Sequence, residues 1–207
     1  MLILTTTSLP TDSQITFRWH NVFLGIVMIY DETSPDGRVH CRLSWWSGNT
    51  ADKWQWVDSG GLVGKEFIRL GPPGSYDSHI CFAAHSPVVM PDHIRLYYMG
   101  GNGPHNGARN ESFAMATLRS DGFAGVAGTG EATTLALTAT GTRLTVTADM
   151  LGPGGSLTVS SGSELVSAPV KRNVTNHVVL SGLSVGKQLT LRLLLQEAIL
   201  YTVGFAP

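Results

Sequence analysis

The sequence predicts an all-β chain in two parts. Two observations predict the class. Helix-period apolar patterns are almost absent, and short apolar runs are punctuated by Gly, Pro, Asn and Asp along all 207 residues. A third predicts the division. All five Trp and both Cys precede the segment Gly122-Phe-Ala-Gly-Val-Ala-Gly-Thr-Gly130, and Thr, Leu, Val, Gly and Ser dominate after it. The boundary is placed near Gly128 to Glu131, giving parts 1–128 and 129–207.

The first part reads as paired strands. Gln14 to His20 and Phe23 to Tyr30 flank a short turn, and Asp31 to Gly37 is a polar turn containing Ser-Pro-Asp-Gly. Arg38 to Trp46 then alternates, with Val39, Cys41, Leu43 and Trp45 on one face and Arg38, His40, Arg42 and Ser44 on the other. Ser47 to Asp52 turns the chain into Trp54 to Val57, completing a four-stranded antiparallel meander. A second meander follows: Ile80 to Ala84, Pro87 to Met90, Ile94 to Tyr98 and Phe113 to Leu118. Its third strand puts Ile94, Leu96 and Tyr98 on one face and Arg95 and Tyr97 on the other. It then breaks into a Gly/Asn/Pro/His loop that carries His105 and Arg109.

The two meanders echo each other, each with an aromatic pair (Trp45-Trp46, Tyr97-Tyr98). Repetition of a four-stranded sheet is the sequence sign of a propeller blade. The fold class is therefore all-β: a partial β-propeller of about two four-stranded blades, followed by a small β-sandwich. Two blades cannot close a ring, so apolar surface is left for another chain or segment that completes the propeller. In the second part, Thr133 to Phe205 holds about six strand-like runs, among them Arg143 to Ala148, Ser156 to Ser160 and Ile199 to Phe205. Leu189, Leu191, Leu193 and Leu195 alternate with Thr190, Arg192 and Leu194, which fits a strand rather than a helix. Short strands with Gly turns point to the sandwich.

Composition excludes some partners. Charged residues make up 14% and the net charge is −1, so there is no electrostatic signal for nucleic acid or an anionic membrane surface. No apolar run reaches bilayer-spanning length. Met1-Leu-Ile-Leu-Thr5 is too short for a signal peptide and lacks a basic start. Asn110-Glu-Ser and Asn173-Val-Thr match the glycosylation sequon, and an extracellular location is the expectation. Cys41 and Cys81 lie in apolar strand-like runs. Buried free thiols are favoured over a disulfide, because free Cys is among the most buried residue types.

The segments Gly37 to Trp45, Phe67 to Ser78, Ile94 to Arg109 and Ala116 to Gly125 carry a family resemblance over residues 14 to 125. Their order is similar to the last blades of five-bladed β-propeller proteins related to glycoside hydrolases, the group that includes invertases, inulinases and arabinanases. The resemblance implies a protein that acts on or binds carbohydrate. In that group carboxylates around a central funnel flank the glycosidic bond. The invertase-like nucleophile belongs to the first blade, which this chain begins too late to include. Hydrolysis is therefore expected only if the rest of the propeller is supplied. The alternative is a non-catalytic carbohydrate-binding, structural or interaction module.

The resemblance places Asp77 at the start of an inner strand, Ser78 to His85, as the catalytic candidate. The bland reading is a turn Asp bonding its own backbone. His79 and His85 flank that strand at even separation, so both should point to one face as substrate contacts. Without a clear third ligand they make no metal site, and no cofactor is expected. Asn102, His105 and Arg109 on the glycine-rich loop suit hydroxyl or carboxylate recognition. The competing reading is a loop held by its own side chains. Trp45 is assigned to the core. Trp46 faces the other way and is the candidate for stacking on a sugar ring.

Overall fold

The computed structural model describes residues 11–57 and 66–207, so the Met1–Thr5 segment lies outside the described residues. Every regular element among the described residues is a strand. The chain forms two compact units, residues 1–118 and 119–207, and the second begins ahead of the boundary expected near Gly128 to Glu131.

The first unit is an eight-stranded sheet. Strands β1 (Thr11–Trp19), β2 (Val22–Asp31), β3 (Arg38–Trp46) and β4 (Gln55–Trp56) form an antiparallel meander in chain order. Strands β5 (Ile80–Ala83), β6 (Val88–Val89), β7 (His93–Gly101) and β8 (Glu111–Arg119) form the second. Here β5 and β6 both pair with β7, as two pieces of one broken edge, and β8 pairs with it too. The two meanders meet where Val39 of β3 pairs in parallel with Ile80 of β5. The alternation expected in β7 is present: Ile94, Leu96 and Tyr98 are buried, while Arg95 and Tyr97 are only partly so.

Strand β3 departs from its expected half-polar character. Both of its faces are buried, with His40, Arg42 and Ser44 at 3%, 2% and 3% exposure. The cause is a cover from later sequence. The Arg42 guanidinium lies 4.5 Å from the Trp56 ring centroid, and Trp54 closes over Gly25 beside Ser44. Glu66 stands against His40. Trp45, assigned to the core, is instead 38% exposed: it lies next to the end of β3, on the face opposite that cover and past the last buried residue of its row, Leu43.

The cysteines also correct the sequence reading: Cys41 and Cys81 form a disulfide, with Cα atoms 5.8 Å apart and both residues fully buried. The Val39–Ile80 pairing brings β3 and β5 side by side just before the two cysteines. The outer strands of this unit carry exposed apolar side chains. Val88 and Val89 lie on β6, Met115 on β8, and Phe113, 80% exposed, stacks on Tyr97 at 5.4 Å.

The second unit is organised around β16 (Arg192–Ala206). Leu193 and Leu195 are buried and Arg192 and Leu194 exposed, as the leucine alternation requires. Glu197 then takes a left-handed φ of 42°, and the register slips there. The extra residue resets the phase, so Ala198 and Leu200 continue the buried row. On one side, the first half of β16 pairs with β12 (Ser156–Ser161) and the second half with β11 (Arg143–Met150). One bulged strand thus joins β12 and β11 into a single six-stranded sheet. Strand β9 (Val126–Thr133) runs along its opposite side. Beyond β12 lies β13 (Leu165–Val166), and beyond β11 lies β14 (Val174–Ser181). Leu157 and Val159 of β12 join Leu144 and Val146 of β11 in one core. The short pair β10 (Leu137–Thr138) and β15 (Gln188–Leu189) contributes Leu189 to that core.

Candidate functional site

Three loops of the first unit converge at one end of its sheet. The β2–β3 turn brings Asp36, Gly37 and Arg38. The start of β5 brings His79, and the β7–β8 loop brings His105 and Asn106. The His105 amide donates to the Gly37 carbonyl at 2.9 Å, and the Val39 amide donates to the His79 carbonyl at 2.9 Å. Gly37 has φ of 55°, and a Cβ there would sit 3.2 Å from the Tyr30 hydroxyl. Glycine therefore lets the turn fold against Tyr30 without strain.

The side chains on this rim are mixed donors and acceptors. His79 Nδ1 lies 2.8 Å from the Ser78 hydroxyl, and its Nε2 lies 3.8 Å from Asp36 Oδ2. Arg38 reaches the same carboxylate oxygen at 3.5 Å. The His105 ring sits between Tyr30 and Phe82, at 5.0 and 5.8 Å between centroids. Asn106 receives a contact from His105 Nδ1 through its carbonyl oxygen at 3.0 Å, and its amide donates to the Tyr30 hydroxyl at 3.3 Å. Asp31, one turn earlier, is occupied by an Asx turn: its carboxylate accepts from the Thr33 hydroxyl and amide. Those bonds, led by the hydroxyl, hold its pKa below the ordinary carboxylate value.

Asp77 is 6% exposed and faces β7 rather than open solvent. The Tyr98 hydroxyl donates to its Oδ2 at 2.7 Å and the Ser75 hydroxyl to its Oδ1 at 2.9 Å. Burial, then the neighbouring Tyr76 hydroxyl and Asp77, push the Tyr98 pKa well up, so this hydroxyl stays a donor. Gly100 makes the approach possible, since a Cβ there would meet the Asp77 Cβ at 2.7 Å. Asp77 thus anchors the Gly71–Ser78 turn to β7.

The remaining sequence candidates scatter. Strand β5 ends at Ala83, so the alternation that would align His85 with His79 does not reach it. His85 is exposed and contacts Ser86. Asn102 accepts the Asn110 amide at 2.9 Å. Arg109 donates to the Pro104 and His105 carbonyls and pairs with Glu111 at 2.9 Å. Both therefore hold the loop in shape, and His105 is the loop residue presented at the rim. Trp46 packs against Phe23 and Trp54 and donates to the Asn49 carbonyl. It lies eight residues along β3 from Arg38, a separation of about 26 Å in an extended strand. Of the residues singled out from sequence, His79 and His105 meet on the rim. Tyr30, Asp36 and Asn106 join them, and only the Ser-Pro-Asp-Gly turn signal pointed toward Asp36. Among the described residues no group of three or more His, Cys, Asp or Glu could hold a metal ion.

His40 adds a titratable group beneath the rim. Its Nδ1 lies 3.2 Å from Glu66 Oε1, but neither ring nitrogen makes a well-directed hydrogen bond among the described residues. Burial lowers its pKa, with Arg38 adding to that, while Glu66 and Asp31 pull it upward. Arg42 lies on the same face. A depressed folded-state pKa means that the unfolded chain takes up this proton first, so stability present above about pH 6.5 is lost as the solution is acidified. His40→Gln should flatten the dependence of the urea midpoint on pH below neutrality. An unchanged slope would show that His40 does not set it.

No family model and no curated protein matches the sequence. Among solved structures, a chain described as "Glycoside hydrolase" is similar at 8% identity and a TM-score of 0.33, with 98% of this chain and 61% of that chain covered. This chain therefore spans about three fifths of that protein's length.

Proposed function

We propose that this chain binds carbohydrate through the rim of its propeller-like unit and does not by itself hydrolyse a glycosidic bond. The observation that supports this reading most is the convergence of Tyr30, at the end of β2, with Asp36, His79, His105 and Asn106 from three separate loops. A carboxylate, imidazoles, an amide and a phenol present the donors and acceptors that vicinal hydroxyls require. Tyr30 and His105 add flat apolar surface for a sugar ring. Hydrolysis needs two carboxyl groups facing one substrate, about 5 to 10 Å apart. Asp77 is committed to Tyr98 and Ser75, and Asp31 to its own turn. Among the described residues, Asp36 is the carboxylate that stands beside the rim imidazole of His79. A glycan array followed by titration of the best ligand tests the reading. His105→Ala and Asp36→Asn should each weaken binding about tenfold, the loss of one good contact. Full affinity in both variants would remove the rim as the site.

A further inference from the structure

A seam lies beside an edge strand of the second unit. Strand β14 has one neighbour, β11, and ends its side of the sheet; β13 ends the other. A groove of about 370 Å³ lies between Ala168–Arg172 on one bank and His177–Val179 of β14 on the other. Alternate residues of a strand point to opposite faces. That alternation is interrupted at Val179, the extra residue of a bulge against β11, so His177, Val178 and Val179 all border the groove beside this edge strand. A second cavity, about 390 Å³, lies between the β12–β13 turn and residues 182–189.

The seam is apolar along its floor and cationic along its margin. Ala168, Pro169, Val170, Val178 and Val179 line the first groove, and Val178 is 36% exposed. Lys171 and Arg172 flank the first groove and Lys187 the second, against one carboxylate, Glu164. No ion pair of these three cations with a described residue is present. Basic side chains beside an open edge deter unselective strand pairing. They also favour a strand of opposite charge.

We propose that this seam binds an extended acidic peptide, which adds to the free edge of β14 as a further strand. Backbone pairing along the edge supplies affinity, and Lys171 and Arg172 supply the charge selection. The site is separate from the carbohydrate rim and does not depend on it.

The probe is a labelled peptide of about eight alternating glutamate and valine residues, the length of an ordinary strand. Titration of the full chain should show saturable binding that weakens with salt and falls about tenfold in the double variant Lys171→Glu, Arg172→Glu. Both positions are exposed, so the fold should survive. Hydrogen exchange should slow at amides within Val174–Ser181 when the peptide is bound. Absence of binding overturns the proposal. So does equal binding of a lysine–valine peptide. Equal binding of an acidic oligosaccharide without protection of β14 overturns it as well, and would reassign the seam as a charge patch.

Discussion

Removing the Cys41–Cys81 disulfide, by reduction or by the paired change to Ala, should destabilise the first unit by about 4 kcal/mol at 25 °C. The bond spans 40 residues, and that is the loop-closure entropy expected when a cross-link of this length is released in the unfolded chain. The native state supports the full effect. Both cysteines are fully buried, flanked by Val39 and Ile80, which are also fully buried. The bond also ties the two meanders together where they share one residue pair. Urea unfolding of the oxidised and reduced chain checks this through the midpoint of the first unit, while the second unit, which holds no cysteine, should unfold unchanged. Coincident midpoints for the first unit in the two redox states would show that sheet pairing alone holds the meanders together.

Tyr98→Phe should cost about 1.5 to 3 kcal/mol, because it leaves a buried carboxylate short of a donor. Asp77 accepts from Tyr98 and Ser75 and is otherwise enclosed against Gly100. Asp77→Asn keeps an acceptor of the same shape, so it should cost less than Tyr98→Phe. The double change Asp77→Ala, Tyr98→Phe removes both partners and should cost less than the sum of Asp77→Ala and Tyr98→Phe made singly. A catalytic Asp77 behaves differently, since its amide variant would leave stability near normal and abolish turnover. Chemical denaturation of these four variants distinguishes an anchor from a catalyst. Stability unchanged in Tyr98→Phe would count against the anchor.

Much of the fold was legible because strand burial writes itself as period-two alternation. Ile94, Leu96 and Tyr98 in β7, and Leu193 and Leu195 in β16, face the core as their spacing demands. The alternation could not show what covers a strand's second face. His40 and Arg42 read only as the polar face of β3, yet Trp56 and Glu66, brought in from later sequence, bury them. Nor could it show a parallel contact across 40 residues, so Cys41 and Cys81 read as separate thiols. The site was legible in part for the same reason. His79 and His105 stood out as imidazoles near turns, whereas Asp36 and Tyr30 acquire their meaning only when three loops meet. His85 was misplaced because β5 stops at Ala83, before the alternation reaches it.

The central claim, that the rim recognises carbohydrate without cleaving it, is tested most directly by incubating the chain with end-labelled oligosaccharides and resolving the products. Binding and chromatography are read from the same samples. The expected result is a retained, intact oligosaccharide, with retention lost in His105→Ala. Release of shortened, labelled products by this chain alone, abolished by Asp77→Asn, would contradict it.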